Sequence, residues 1–473
     1  MTQLIGTLVC IAYIGWMFYL ARDVEAHPSR ALWIPTVWLL IVGSRGVSAW
    51  IHPNQAISLT QKFTEGNPLD ASIYAGLTLA GALVLNSRPR QVREFFRQNL
   101  PLIIFFAYCA LSVAWSDLPF LTLKRWTKSL GDLVMIMVVL TDAYPMIAIK
   151  RVLTRVGFVL FPVSALFIVC FPSLGTSFRP EDGTTMYFGV TTFKNELGMV
   201  CMVHGLSAIW AFLNVYTDRG TPNRSGRLFA YGSIVAIAIA LIVKADSMTS
   251  LSCLGLAGAV MVMAAQPWAT RWPKSAHVIV WSAISVPLFA LFLDTVGTLV
   301  HSLGRNGTLT GRTDIWKAVL AMHTNPLIGT GFESFWTGGR LERVWNMSVR
   351  GIDEAHNGYL EIYLNLGWIG VCLLLWLIVS GYRRAMRTYQ IDPALGRLSL
   401  SYFVAAMIYN LTEAGFKMLI PIWFAFLLSI TVVPAGLKLK ELNESLNLSW
   451  APVREPRPVR ILQQRSCLRR VKS

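Results

Sequence analysis

The chain reads as an all-α polytopic membrane protein, a bundle of about twelve or thirteen transmembrane helices with one long extracytoplasmic loop. Three observations lead there. Of 473 residues, 54% are hydrophobic and 14% charged, with mean hydropathy +0.51, far from a soluble domain of this size. Predominantly apolar runs long enough to cross a bilayer recur along most of the sequence. Those runs lack the ten-residue alternation of barrel strands, so a backbone that finds no water in lipid must pair with itself inside each run, as helix.

In chain order the runs cover residues 4–21, 31–51, 71–87, 99–115, 129–142, 153–172, 196–216, 228–243, 251–266, 276–297, 358–380, 398–412 and 418–436. Residues 228–243 and 251–266 are among the shorter. Met1, Thr2 and Gln3 supply no positive n-region and no small-residue cleavage site follows the first run, so the first helix is expected to be retained. Residues 1–436 then form the membrane unit. Residues 437–473, with Arg454, Arg457, Arg460, Arg465, Arg469 and Arg470 among Pro and Gln, are expected to be a disordered basic tail drawn to anionic headgroups.

Orientation follows from Lys and Arg. If loops alternate sides, one set holds 22–30, 88–98, 143–155, 217–227, 267–275, 381–397 and the tail, and carries 27 of the 42 basic residues. The positive-inside rule makes that set cytoplasmic, C-terminus included, and leaves 52–70, 116–128, 173–195 and 298–357 outside. The net charge of +17 is spread over short loops and the tail, as orientation requires, and does not argue for nucleic acid. Six of seven cysteines fall inside apolar runs without a pairing pattern.

With no soluble domain, an active site must be assembled from outer loops and helix ends. Residues 298–357 form much the longest loop, and loops of that size are usually functional. Within it, Ile315, Trp316, Val319, Leu320 and Met322 are spaced as one apolar face of a short amphipathic helix, expected to lie on the outer membrane surface. Asn325-Pro326 stops it, and Gly329 and Gly331 turn the chain. Arg312 stands at its start, with Thr310 or Thr313 as cap. A guanidinium beside free N–H groups suits a phosphate or pyrophosphate; the plainer alternative is an arginine that snorkels or pairs with Asp314. Arg305 is a second, weaker candidate.

His356 ends this loop where Gly358 opens an apolar run. An imidazole there can donate, accept and titrate near neutral pH; alternatively it is interfacial, with Asn357 capping the helix. Glu354 and Asp353 are near enough to orient it, and Glu361 lies one turn inside. In the other outer loops, Lys124, Arg125 and Lys128 approach a run at its outer edge, and Lys194 precedes a helix that Asn195 is expected to cap, with Arg179 upstream. Arg45, Asp132, Asp294, Glu413 and Lys417 are the few ionisable residues within or beside runs, too scattered for an ion path. No metal or cofactor is expected: His301, His323 and His356 show no HxxxH spacing and no His–carboxylate cluster.

The ordered segments Trp115-Ser116, Phe193-Lys194-Asn195, Thr308-Leu309-Thr310-Gly311-Arg312-Thr313, Asn325-Pro326 through Gly331, Ala355-His356-Asn357-Gly358-Tyr359 and Leu366-Gly367-Trp368 resemble the O-antigen ligase and polymerase superfamily, most of all the ExoQ-type exopolysaccharide polymerisation proteins. The resemblance implies an inverting, metal-independent glycosyltransferase of the GT-C type in a bacterial inner membrane, its site facing the periplasm. The donor would be an oligosaccharide on undecaprenyl pyrophosphate and the acceptor a saccharide, with membrane lipids, a flippase and a chain-length regulator of the same pathway as further partners. It gives His356 the role of deprotonating the acceptor or holding the reacting groups, and Arg312 that of holding the donor pyrophosphate. Ligases of this superfamily often carry an arginine just ahead of the Gly-x-x-x-x-x-Asn segment; here Tyr187-Phe188 precede Gly189, which leaves Lys194 or Arg179 as second cation and favours a polymerase over a lipid A-core ligase. A transporter of lipid-linked sugar is the remaining alternative, expected to show internal repeats and midplane polar residues.

Overall fold

The computed structural model describes residues 1–22, 28–52, 66–179, 183–272, 274–292, 312–322, 324–347 and 352–431. Within the described residues each of the thirteen apolar runs overlaps helix, and the strand content there is one hairpin, Thr176–Phe178 against Thr185–Tyr187, with Thr176 opposite Tyr187. The chain is an all-α multi-pass membrane protein. Among the described residues six helices are long and apolar enough to span a bilayer: Thr2–Leu20, Pro68–Asn86, Pro145–Cys170, Lys194–Thr217, Arg224–Lys244 and Gly358–Ile391. Pro89–Gln98 and Leu100–Trp115, bent by 87°, make a seventh if they are one span.

The other expected spans are shorter or more polar than their runs suggested. Arg30–Val42, Met248–Met263 and Pro421–Thr431 are short apolar helices, while Pro119–Leu140 carries Lys124, Arg125, Lys128 and Asp132. The first helix leaves Leu4, Leu8, Ile11 and Trp16 exposed, as a face turned to acyl chains would. Pro393–Thr412 is buried along most of its length and packs against Gly358–Ile391, Met248–Met263 and Pro421–Thr431. Close approach is possible because glycines sit at the crossings: a Cβ on Gly131 would collide with the indole of the fully buried Trp38.

Loops that alternation assigns to one side do meet one another. At one end Arg88 pairs with Asp142 at 3.6 Å and the Ser29 amide donates to the same carboxylate at 3.3 Å. At the other, the Arg45 Nε donates to the Thr191 carbonyl at 3.0 Å, and Lys194 pairs with Asp246 at 3.2 Å. Arg45 also donates to the Gly189 and Leu174 carbonyls and lies 5.2 Å from the Phe188 ring centroid, so it clamps the 174–191 loop onto the bundle.

The segment around the expected amphipathic helix has a core of its own. Ile315 and Val319 of the helix Arg312–Leu320 are buried with Phe335, Trp336, Leu341, Val344 and Ala355 in a cluster separate from the main one. The amphipathic helix expected to lie on the membrane surface therefore turns its apolar face to protein, while Leu320 stays exposed. The partner missing from the sequence argument was the second helix, Gly338–Met347, which packs against it.

The long helix is broken where the sequence suggested only a turn nearby. Gly367 has φ +63°, inside Gly358–Ile391. In an unbroken helix the Trp368 and Ile369 amides would bond the Leu364 and Asn365 carbonyls. Instead the segment 326–331 takes all four groups: Trp368 N–H donates to Pro326 at 2.8 Å, Ile369 N–H to Leu327 at 3.1 Å, and the Thr330 and Gly331 amides donate to Leu364 and Asn365 at 3.2 and 2.8 Å. Backbone opened at membrane depth must find such partners. The break ties this second core to the helix that begins beside His356.

Candidate functional site

The cluster is built where four chain segments meet. Asn357 caps the helix Gly358–Ile391, its side chain accepting from the Tyr359 and Leu360 amides at 3.1 and 3.0 Å, while its own amide donates to the Leu411 carbonyl at 3.2 Å. The Gly358 amide donates to the Glu413 carbonyl at 3.0 Å, and a Cβ on Gly358 would collide with Asn410. The helix start is thereby pressed against the end of Pro393–Thr412, with Glu413 next to His356. His356 itself has φ +49°, a left-handed conformation uncommon for a residue with a side chain and often found at functional sites.

Glu413 is the hub. Its Oε1 accepts from Arg312 Nη2 at 2.8 Å and from Asn195 Nδ2 at 3.4 Å, and its Oε2 lies 3.2 Å from His356 Nδ1. The same Nδ1 is 2.9 Å from Glu354, which also pairs with Lys417 at 3.4 Å. Trp316, one turn past Arg312, donates its indole N–H to the Ala355 carbonyl at 2.7 Å and so fixes the two loops relative to each other. The two residues singled out at separate helix ends thus share one carboxylate.

Electrostatics follow from that packing. Burial alone would depress the His356 pKa, but hydrogen bonds to Glu354 and Glu413 outweigh it and push it up to about 9. Burial would raise Glu354, yet the Lys417 ammonium and the His356 ring hold it at about 2. Lys417, despite burial, is raised by Glu354 and the acids around it. In the neutral range the immediate cluster is three cations, Arg312, His356 and Lys417, interleaved with two carboxylates.

A cavity of about 700 Å³ opens on this cluster. His356, Glu354, Glu413, Lys417, Lys194 and Asn195 line its polar part, and Ile41, Val42, Tyr74, Met199, Val200 and Leu419 its apolar wall. Asp132 helps set that wall, accepting from the Trp38 indole at 2.9 Å and from the Leu419 amide at 3.0 Å.

The remaining sequence candidates distribute unevenly. Lys194 lines the cavity, whereas Arg179, Lys124 and Arg125 are not among the described residues that do. Arg179 sits in the hairpin turn, its amide donating to Thr184, and Arg125 donates to the Glu333 carbonyl. Arg305 and Thr310 lie outside the described residues, as does the tail. Asn195 is not the cap it was expected to be: Lys194–Thr217 begins one residue earlier, Glu196 accepts from the Thr192 and Phe193 amides, and Asn195 turns to Glu413. Glu361 does not orient His356; it accepts from the Trp336 indole at 2.9 Å and from the Ala355 amide.

The reading that His356 has no carboxylate cluster is also corrected. Glu354, His356 and Glu413 bring three ligand-type atoms within 4.8 Å of one another, because Glu413 arrives from a segment 57 residues away. A divalent cation there would compete with Arg312 and Lys417 for the carboxylates they pair with.

These features define a multi-pass helical membrane protein with a site that is charged on one side and walled by apolar side chains on the other. Residues 118–375, more than half of the chain, match the family described as O-antigen ligase, and the chain belongs to that family. It is also 23% identical over 396 residues to the exopolysaccharide production protein ExoQ of Rhizobium meliloti (strain 1021), covering 81% of this chain and 87% of that protein.

Proposed function

We propose that this protein polymerises oligosaccharide repeat units carried on undecaprenyl pyrophosphate, at the extracytoplasmic face of a bacterial inner membrane, in exopolysaccharide synthesis. The observation that carries the reading is the convergence of Arg312 and His356 on Glu413, with His356 and Glu413 lining a cavity that has one charged and one apolar side. A lipid-linked diphosphate has the same polarity: an anionic group joined to a hydrocarbon chain. The relative named for exopolysaccharide production supports the polymer over other products.

In this reading Arg312 turns from Glu413 to the donor diphosphate and Lys194, which also lines the cavity, supplies the second cation. His356, protonated through the neutral range, donates to the diphosphate oxygen and is held in place by its Nδ1 contacts. The acceptor hydroxyl attacks the anomeric carbon as the bond to the diphosphate breaks, the electron pair leaves on that oxygen, and the hydroxyl proton passes to Glu413, freed of Arg312. The departure from the sequence expectation is the base: a ring that keeps its proton to about pH 9 serves better as donor. Arginine and imidazolium neutralise the leaving group, and no metal is required.

A second reading, joining of lipid-linked polysaccharide to lipid A-core, is favoured by the description of the matching family. Gel analysis of a deletion strain separates the two. Loss of secreted polysaccharide, restored by wild type but not by Arg312→Ala or His356→Ala variants that still insert, supports the polymerase. Loss of long lipopolysaccharide with exopolysaccharide intact supports the ligase. Full restoration of polymer by both variants would remove the site from the reaction.

A further inference from the structure

One cation of the cluster has no part in the proposed transfer. Lys417 lines the same cavity as His356 and Lys194, and we infer that it binds the phosphate next to the lipid, an inference resting on the reading of the donor as a lipid-linked diphosphate. Lys417 stands in the turn between Pro393–Thr412 and Pro421–Thr431, and that turn changes character along the cavity. Glu413 and Lys417 contribute charge to the lining; Leu419, Ile420 and Pro421 contribute apolar wall. Two positions separate Lys417 from Leu419, so their Cα atoms lie within roughly 7 Å. The ammonium thus belongs to the stretch where the charged part of the cavity gives way to the apolar part, and there a phosphate would meet its hydrocarbon chain.

The turn is fixed at several points. The Gly415 amide donates to Asn410 Oδ1 at 2.8 Å. Phe416 is buried, its ring centroid 5.4 Å from that of Tyr359 and 5.9 Å from that of Trp423. The Leu419 amide donates to the fully buried Asp132 at 3.0 Å, and Leu419 has φ +55°, a left-handed conformation that a branched side chain keeps only where its surroundings enforce it. A lysine that merely anchored the chain at a headgroup boundary would need no such turn, since its long stem reaches water from many positions.

Pairing with Glu354 leaves the ammonium able to take a second anion. Nζ carries three N–H groups and lies 3.4 Å from Glu354 Oε2, longer than usual for a charge-assisted bond, and the side chain remains 21% exposed. The other oxygen of that carboxylate is 2.9 Å from His356 Nδ1. One carboxylate therefore holds an imidazolium and an ammonium side by side, an arrangement suited to two phosphates that share a bridging oxygen. His356 would serve the phosphate whose oxygen leaves the sugar, and Lys417 the one that carries the lipid. Lysine binds phosphate as a point charge and needs no fixed plane to do so.

Binding of undecaprenyl phosphate and undecaprenyl pyrophosphate to purified full-length protein, read by native mass spectrometry, tests the assignment without any polymer being made. Lys417→Met should weaken both lipids by roughly tenfold or more, the loss of one charge-assisted contact, and Lys417→Arg should keep both. Because Lys417→Met also strands Glu354, two further variants complete the set: Glu354→Gln should bind undecaprenyl phosphate at least as well as wild type, and Lys417→Met/Glu354→Gln as weakly as Lys417→Met. Unchanged binding in Lys417→Met, loss of the pyrophosphate alone, or recovery in the double variant would overturn the inference, the last by making Lys417 a partner for Glu354 only. So would a loss in Glu354→Gln equal to that of Lys417→Met. Wild type that bound neither lipid would remove the donor reading and the inference with it; wild-type binding that Lys417→Met leaves intact would remove the inference alone.

Discussion

Replacing Glu413 by Gln is the sharpest perturbation the structure offers, because it removes one negative charge at nearly constant shape. That carboxylate is 7% exposed and serves both Arg312, 16% exposed, and His356, 30% exposed. At about 1.4 kcal/mol per pH unit, the interval from the ordinary 6.5 to about 9 favours the imidazolium by about 3 kcal/mol. Glu354 and Glu413 share that term at 2.9 and 3.2 Å, so Glu413→Gln should lower the His356 titration by on the order of one pH unit. Unpairing Arg312 adds a further cost of about 1–3 kcal/mol, below the fully buried case because water reaches it. Transfer activity should fall roughly 100-fold or more, since the group that takes the acceptor proton is lost and the cation meant for the diphosphate is no longer positioned. Histidine-labelled protein in nanodiscs, with His356→Gln to assign the signal, reads the titration by NMR. An unchanged His356 titration together with undiminished polymer would refute the hub.

Other outcomes follow from the same contacts. Because the folded pKa of His356 lies above its unfolded value, its contribution is fully present below about pH 6.5 and is lost as pH rises through about 9; the melting temperature of wild type should drop across that window, and His356→Gln should flatten the drop. Glu354 has the opposite sign: held at about 2, it adds stability above its ordinary 4.5 that disappears on acidification. Gly367→Ala forces a side chain into a left-handed position against the Leu327 backbone and should cost about 3 kcal/mol or more, read as faster proteolysis of the 324–347 region; unchanged protection would argue against the broken-helix account. Asn357→Ala should cost about 1 kcal/mol as a lost cap while retaining substantial activity, whereas complete loss with normal stability would make Asn357 a substrate ligand.

The membrane helices were legible because lipid leaves an apolar backbone no other choice. Arg312 and His356 were legible for a related reason: polar groups at the mouths of apolar runs face a small set of physical roles. Glu413 was not. It sits at the end of an apolar run, where an isolated carboxylate reads as an anchor, and its partners lie 57 and 101 residues away. A signal was nevertheless present, since the alternation of sides that places His356 outside also places the short turn holding Glu413 and Lys417 outside, and two opposite charges four residues apart between apolar runs are rare. The break at Gly367 was hidden more deeply. One glycine in a long apolar helix seldom opens it, and only the pairing of 326–331 with the freed groups makes the opening affordable. The membrane-surface placement of the amphipathic helix failed because amphipathicity specifies an apolar partner without saying whether that partner is lipid or protein.

The most direct test of the central claim is extension of a synthetic undecaprenyl-pyrophosphate-linked repeat by purified, reconstituted protein in excess EDTA. Polymer is expected from wild type with EDTA present and none from Arg312→Ala or His356→Ala. Polymer made equally by those variants, or by wild type only when a divalent cation is restored, would contradict it.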